Sequence, residues 1–243
     1  MRPVVSVVIP TLNEEENIHR CLRALADQTF QQFEVLVVDG GSTDGTVAVA
    51  EAGGAHVLTL QERGIARARQ LGFQAARGDI VASTDADAVL PPQWLEAIVA
   101  VFADPAVVAV FGTTRFSGAK DVGGAILRAW QRLHHLVGCP MLLGPNSAVR
   151  REAFHAARGF LEPGGTLPCA YPEADDFLLG LKLKPLGKVL FLPRVCVVVS
   201  ARRLTVGSFP RQFALYARRY LQILFWHWSG KLRPDRGVGY EQA

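Results

Sequence analysis

Asp85 and Asp87 flank a single alanine at the end of a short apolar run, 79–83. Two carboxylates at that spacing can share one hard divalent cation, with one of them also free to meet a ribose hydroxyl. Mg2+ takes one or two carboxylates, retained waters and substrate phosphates, and such an ion neutralises charge that builds on a diphosphate leaving group. The same pair also reads as two solvated turn aspartates, so Asp-x-Asp alone does not decide. A second cluster, Asp39-Gly40-Gly41-Ser42-Thr43-Asp44-Gly45, follows another apolar run. Its glycines permit positive φ and close backbone approach. A tight strand-to-helix turn with a cap is its plain reading, and Asp39 set against a nucleobase or ribose is its functional one. It is not a GxGxxG fingerprint, and the chain has no GxxxxGK[ST] phosphate loop. Asp175-Asp176 opens a predicted helix. A carboxylate there is favoured by the helix dipole; the alternative is a general base that removes a hydroxyl proton, a role that Glu173 could also fill. Arg202-Arg203 could clamp a diphosphate, because guanidinium matches phosphate oxygens bidentately, or could form a solvated basic turn. His134 and His135, adjacent on a predicted helix, point different ways and read as structural rather than as a shared metal site.

These side chains need a frame. Residues 4–10, 33–38, 57–60 and 79–83 are short apolar runs of the kind that form buried parallel strands. Between them lie helical patterns. One starts after Asn13, where Asn13 and Glu16 resemble a capping box, and carries Ile18, Cys21, Leu22 and Leu25 at helical spacing. Another starts near Thr43 or Asp44, and a third covers 64–76. Strand and helix alternating with short connections predict a parallel sheet covered by helices on both faces. In such sheets ligands sit beyond the carboxyl ends of the strands. The polar clusters at 11–14, 39–45 and 85–87 all fall there, and this convergence is the strongest inference from pattern alone. The second half is less regular: a helix over 91–102 begun by Pro91-Pro92, a strand over 106–111, a helix over 122–137, a Gly- and Pro-rich loop over 159–172, a helix over 173–183, strands over 189–192 and 195–199, and a long aromatic helix over 209–228.

The chain has 243 residues, 49% hydrophobic and 20% charged, enough for one large α/β domain with a sizeable core. Its net charge of +4 suits a phosphate-bearing ligand or an anionic membrane surface without requiring either. No basic arm suggests nucleic acid. The four cysteines, Cys21, Cys139, Cys169 and Cys196, form no CxxC pair and no zinc spacing; they read as reduced thiols, three or four of them buried, in a cytoplasmic protein. The opening residues show no leader pattern, and no apolar run of 18 or more residues predicts a membrane span. In 209–228, Phe213, Tyr216, Tyr220, Leu224 and Trp228 are interleaved with Arg211, Arg218 and Arg219. Packing on the domain, or on a second subunit of a homodimer, is the plain reading. Aromatics beside arginines also suit docking at the inner face of a membrane, which would make a lipid-linked acceptor attractive.

Four blocks occur in a telling order: Val7-Val8-Ile9-Pro10-Thr11-Leu12-Asn13-Glu14-Glu15, Val37 to Thr46 with its Asp39-Gly40-Gly41-Ser42-Thr43-Asp44-Gly45 core, Gly64-Ile65-Ala66-Arg67-Ala68-Arg69-Gln70-Leu71-Gly72, and Asp85-Ala86-Asp87. Together they resemble family two glycosyltransferases of the GT-A fold. A fainter match runs through Gly144-Pro145-Asn146 and Arg150-Arg151-Glu152-Ala153-Phe154 to Asp175-Asp176-Phe177-Leu178 and Gly187. There Asp175 stands in the family's Glu place and Lys182 in its Arg place. The resemblance implies one α/β domain over 1–243 with a Rossmann-like mixed central sheet flanked by helices. Its nucleotide-sugar half would be 1–112, its acceptor half 113–205, and its aromatic helix and tail 206–243. It implies that Thr11, Asn13 or Glu14, and Asp39 hold the nucleoside, and that Arg69 lies near the nucleotide, with Gln70 replacing the usual Asn. Asp85 would meet ribose or metal, Asp87 would bind Mg2+ or Mn2+, and Asp176 would be the base in a single inverting displacement from a nucleoside-diphosphate sugar to a hydroxyl acceptor. Two rivals use similar parts. A nucleotidyltransferase would carry a Gly-rich basic loop after the first strand, where this chain reads Pro10-Thr11-Leu12-Asn13-Glu14-Glu15. A non-catalytic sugar-nucleotide binder or scaffold would not need a carboxylate at Asp176.

Overall fold

The computed structural model describes residues 2–117, 122–142, 144–166, 174–200, 202 and 209–232. In the first half, β1 (Val5–Thr11), β2 (Phe33–Asp39), β3 (His56–Thr59) and β4 (Ile80–Ser83) alternate with α1 (Glu15–Ala26), α2 (Thr46–Ala52) and α3 (Ile65–Ala75). All three pairings within this half are parallel. The second half runs α4 (Trp94–Val101), β5 (Val107–Phe116), α5 (Val122–Leu136), β6 (Ser147–Arg150), α6 (Arg151–Ala156), α7 (Asp175–Leu183), β7 (Lys188–Val199) and α8 (Phe209–Trp228). The sheet order is β3-β2-β1-β4-β6-β5-β7. β6 is antiparallel to both of its neighbours, and β5 and β7 pair in parallel. The sheet is therefore mixed, as the family resemblance implies, with the wholly parallel arrangement that the pattern predicts confined to β1 to β4, and helices cover both faces.

Strand periodicity explains the two covers. Val5, Val7 and Ile9 of β1 point to one face and pack with Ile18, Cys21, Leu22 and Leu25 of α1 and with Trp94, Leu95 and Ile98 of α4. Val8 points to the other face, with Phe73 of α3, Phe154 of α6 and Leu179 and Leu183 of α7. A third cluster joins Phe177, Leu178 and Leu181 of α7 to Ile223 and Leu224 of α8. Tyr220 of α8 stacks on Phe177 with ring centroids 4.4 Å apart, so the aromatic helix packs on the domain.

Four details differ from the sequence reading. No capping box forms at α1: the helix starts at Glu15 without a side-chain cap, and Asn13, at φ 54°, turns its amide to the neighbouring loop instead. Pro91-Pro92 form a turn before α4 rather than its first residues, with Trp94 N–H donating to Pro91 O. The runs at 189–192 and 195–199 are one strand, because the register against β5 slips between Gly112 and Thr113, where Leu192 and then Cys196 are the partners. β6, a short strand of small and charged residues, has no apolar run to announce it. The cysteines depart from the expectation as well: rather than three or four buried thiols, Cys21 is buried while Cys139 and Cys196 are half-buried; Cys169 lies outside the described residues.

Candidate active site

The carboxyl ends of the parallel strands carry the polar clusters. Thr11 ends β1 opposite Asp39, which ends β2, and Thr11 Oγ1 donates to Asp39 Oδ1 at 3.4 Å. Asp39 is buried, and its Oδ2 accepts the N–H groups of Gly41 and Ser42, both at 3.0 Å. Gly41 adopts φ 88°, a left-handed conformation for which glycine pays no Cβ penalty. The loops after β1 and β2 clasp each other. Asn13 N–H donates to Ser42 Oγ and Asn13 Oδ1 accepts from Thr43 N–H, while Glu14 N–H donates to Thr46 Oγ1 and Glu15 Oε2 accepts from Gly45 N–H, each at 2.8 Å. Asn13 thus builds the rim of the site. Glu14, only 3% exposed, accepts from Asn17 Nδ2 at 3.0 Å and from the guanidinium of Arg202. Arg203 and Glu173 lie outside the described residues.

Arg69 of α3 joins the halves. It is buried; its Nη1 donates to Asp175 Oδ2 at 2.8 Å and its Nη2 to Asp85 Oδ1 at 3.3 Å. Burial opposes its charge, but Asp175 and Asp85 more than offset that and raise its pKa. Gly144, in the 3-10 turn Gly144–Asn146 before β6, leaves room for this guanidinium: a Cβ there would lie 1.7 Å from Arg69 Nη2. Asn146 braces the turn, donating from Nδ2 to Thr113 O at 2.7 Å and to Val195 O at 3.0 Å, and accepting from Trp94 Nε1 at 2.9 Å. Arg69, Ser83, Gly144, Phe160, Asp175 and Asp176 line a cavity of about 10 Å3. Arg69 Nε and Ser83 Oγ are buried without a protein partner, and the volume admits about one water.

Asp85 and Asp87 follow β4 in a turn closed by Ala88 N–H to Asp85 O at 3.0 Å. Their negative charges are felt at the buried thiol of Cys21. Burial first, then Asp85 and Asp87, push that thiol up to about 12. Asp87 also adds to the field that, after Glu14, raises the pKa of Arg202. Asp176 is the second residue of α7, and its Oδ1 accepts the N–H of Phe177 at 2.8 Å. Burial, then the adjacent Asp175, push its carboxyl up to about 7 against the pull of Arg69. A base should be poised near the working pH, and Asp176 is so placed.

No group of three or more His, Cys, Asp or Glu side chains suited to a metal occurs among the described residues. Asp85 and Asp87 offer hard oxygen ligands only. That set fits an ion of the Mg2+ or Mn2+ class whose remaining positions are taken by water and substrate phosphate, and does not fit a closed structural site. The two histidines part company: His134 faces Tyr220 Oη, with Nε2 at 3.0 Å, and Cys139 O, with Nδ1 at 3.3 Å, whereas His135 packs against Phe111 and Phe191.

Residues 6–157 match the family model for glycosyl transferase family 2. The chain belongs to glycosyl transferase family 2. Among family relatives, glycosyltransferase AglE of Haloferax volcanii is 38% identical over 123 residues, covering 47% of this chain and 40% of its own length. The undecaprenyl-phosphate 4-deoxy-4-formamido-L-arabinose transferase of Sodalis glossinidius is 36% identical over 121 residues, covering 46% of this chain and 36% of its own length. The family 2 chain thus spans less than half the length of these relatives. A mannosyltransferase from Pyrobaculum calidifontis, solved in complex with GDP-Man and Mn2+, superposes with a TM-score of 0.67 and 26% identity, covering 99% of this chain and 66% of its own. The architecture is that of GT-A glycosyltransferases. The structure brings Arg69, Asp85 and Asp175 together, with Asp176 beside them; the arginine-bridging position of Asp175 and the space left by Gly144 had no place in the sequence reading. Gly144 stands in the fainter block of the resemblance, which was the one signal available.

Proposed function

We propose that this chain transfers a sugar from a nucleoside-diphosphate donor to a hydroxyl acceptor, with inversion. The observation that carries the reading is the bridge from Asp85 through Arg69 to Asp175, which sets the base-like Asp176 beside the metal-suited turn at the sheet's carboxyl edge. Residues 1–112 form the donor half, with Thr11 and Asp39 at the nucleoside. Residues 113–205 form the acceptor half, and 206–243 its aromatic helix and tail. Asp85 and Asp87 hold the divalent ion, which when bound offsets charge on the departing diphosphate. Asp176 takes the acceptor's hydroxyl proton. The acceptor oxygen bonds to the anomeric carbon from the face opposite the diphosphate, and the bond from that carbon to the phosphate oxygen breaks. The Pyrobaculum structure with GDP-Man and Mn2+ supports this donor class.

The acceptor we favour is lipid-linked. α5 exposes Trp130, Leu133 and Leu136, with Val137 exposed just past its end, and α8 exposes Leu221, Phe225 and Trp228, the last 76% exposed. The helices are neighbours, with Trp130 and Tyr220 ring centroids 6.4 Å apart. No described helix is long and apolar enough to cross a membrane, so these stripes suit a peripheral contact with arginines at the headgroups. The name of the Sodalis relative, an undecaprenyl-phosphate transferase, supports the same class.

The test is a thermal-shift screen of nucleoside diphosphates with and without Mn2+ or Mg2+, on wild type and Asp87→Ala. A ligand that binds only the folded state raises its melting temperature. One nucleotide that stabilises only with metal, and loses that effect in the variant, is the expected result. A well-folded protein that responds to none would overturn the donor site.

A further inference from the structure

Away from the candidate active site, a cavity of about 240 Å3 opens between the end of α6, the segment after it, α7 and the end of α8; Arg158, Leu161, Glu162, Lys182 and Lys231 are among its lining residues. Its charge is one-sided. Lys182 is buried, and its ammonium donates to Gly159 O at 2.6 Å and Leu161 O at 2.9 Å. Neither bond supplies a counter-charge. Arg158 stands beside it at φ 56°, a left-handed conformation rarely adopted by a bulky side chain. Lys231, on the far rim, lies 5.9 Å from the Phe225 ring. Among the described lining residues the carboxylate is Glu162, and it is claimed by Arg219, which itself lies 5.2 Å over Trp226.

Burial first, and Arg158 second, pull the Lys182 ammonium down to about 7. Two cations therefore repel each other across a cavity wall in which the described carboxylate is already spent. Clustered like charges of this kind are stabilised by an anion. An arginine fork flanked by two lysines suits the several oxygens of a phosphate group better than a single carboxylate.

We propose that this cavity is a second anion site, which takes the phosphate group of a ligand other than the sugar nucleotide. Lys182 follows Asp175 by seven residues on α7, two helical turns, so the site lies about 10 Å along the same helix face from the Arg69 partner. Its occupancy fixes the Gly159–Leu161 carbonyls that Lys182 holds, and Phe160 between them lines the small cavity beside Asp176. The phosphate can come from a soluble phosphorylated molecule or from a lipid headgroup, since Lys231 reaches the cavity from beside the exposed ring of Phe225. The proposal stands independently of the transferase reading.

The test uses the whole chain, metal-free in chelator, with inorganic phosphate and glycerol 3-phosphate as probes at ionic strength matched with chloride. Phosphate is expected to raise the melting temperature and to slow the modification of Arg158 by phenylglyoxal several-fold, read by mass spectrometry on the wild-type protein. Arg158→Gln with Lys231→Gln, both at exposed positions, should abolish the melting response, while Asp87→Ala keeps it. Unchanged Arg158 modification, or a thermal response retained in the double variant, would overturn the site. Sedimentation with vesicles of phosphatidic acid in phosphatidylcholine distinguishes the sources. Binding lost in the double variant assigns the lipid phosphate; a response to glycerol 3-phosphate alone assigns the soluble one.

Discussion

Arg202 closes on the carboxylate of Glu14 from 188 positions away in the chain, tying the segment after the last strand to the loop after the first. Glu14 is almost wholly buried, whereas solvent reaches much of the guanidinium. Arg202→Ala takes the guanidinium away from a buried carboxylate that also accepts from Asn17. Because solvent screens the exposed partner, we expect a loss of about 1–2 kcal/mol, less than for a fully buried pair. Urea denaturation of the two single variants and of Arg202→Ala with Glu14→Gln should give a coupling of about 1 kcal/mol. Additive losses would mean that the two residues act separately.

The pH profile should report Asp176. As the base it works ionised, so kcat/KM should rise about tenfold per pH unit on the acid side and level off above about 7. Asp175→Asn removes a neighbouring negative charge and frees Arg69 to draw on Asp176. Both effects favour ionisation, so the acid limb should move to lower pH. The stability sign is opposite to that of an ordinary paired carboxylate: the folded value lies above the unfolded 3.8, so the contribution is fully present below 3.8 and is lost as pH rises through about 7. Melting curves of Asp176→Asn against wild type should therefore diverge in the variant's favour between pH 4 and 8.

Gly144→Ala should cost both fold and activity. The new methyl meets the buried guanidinium of Arg69, which cannot shift without loosening Asp85 or Asp175. We expect about 2–4 kcal/mol of destabilisation, measured by chemical denaturation, and a donor KM raised along with a reduced kcat.

Asn13 offers a cleaner separation of terms. Asn13→Ala loses the bond from Thr43 N–H, worth about 1 kcal/mol, and places alanine at left-handed φ, for about another 1 kcal/mol. Asn13→Gly loses only the bond. Equal melting temperatures for the two variants would show that the backbone conformation contributes nothing.

The exposed stripe on α8 makes a binding prediction. Replacing Leu221, Phe225 and Trp228 together with serine should abolish sedimentation with anionic vesicles and leave the melting temperature nearly unchanged, because none of the three is buried. A wild-type chain that ignores such vesicles would rule out the membrane contact.

The first half of the fold was legible because each strand is an apolar run closed by polar turn residues, as at Val35 to Asp39, and because helices fill the intervals. The second half was harder for identifiable reasons. Ser147–Arg150 is strand only because β4 and β5 flank it. The slip beside Gly112 disguises one strand as two. Asn13 and Glu16 have the residue types of a capping box, but the loop after β2 competes for the Asn13 amide and wins. Thr11, Asp39, Asp85 and Asp87 stand out by type and by their place at or after strand ends; the pairing of Arg69 with Asp175 does not, since the two meet across 106 positions and no local pattern encodes that distance.

β6 runs against its neighbours, with Ser147 level with Ser83 at the end of β4. The chain therefore arrives at the cleft as it enters β6, rather than as it leaves a strand, and it arrives again at the start of α7. Both arrivals are anchored by Arg69, through the space at Gly144 and the ion pair to Asp175. Between them the chain is held along its way as well: β6 pairs on both sides, and Phe154 and Phe160 pack into the core under α3. A change in this excursion is therefore felt in the sheet itself, and one buried guanidinium acts as the keystone where the reversed strand and α7 meet.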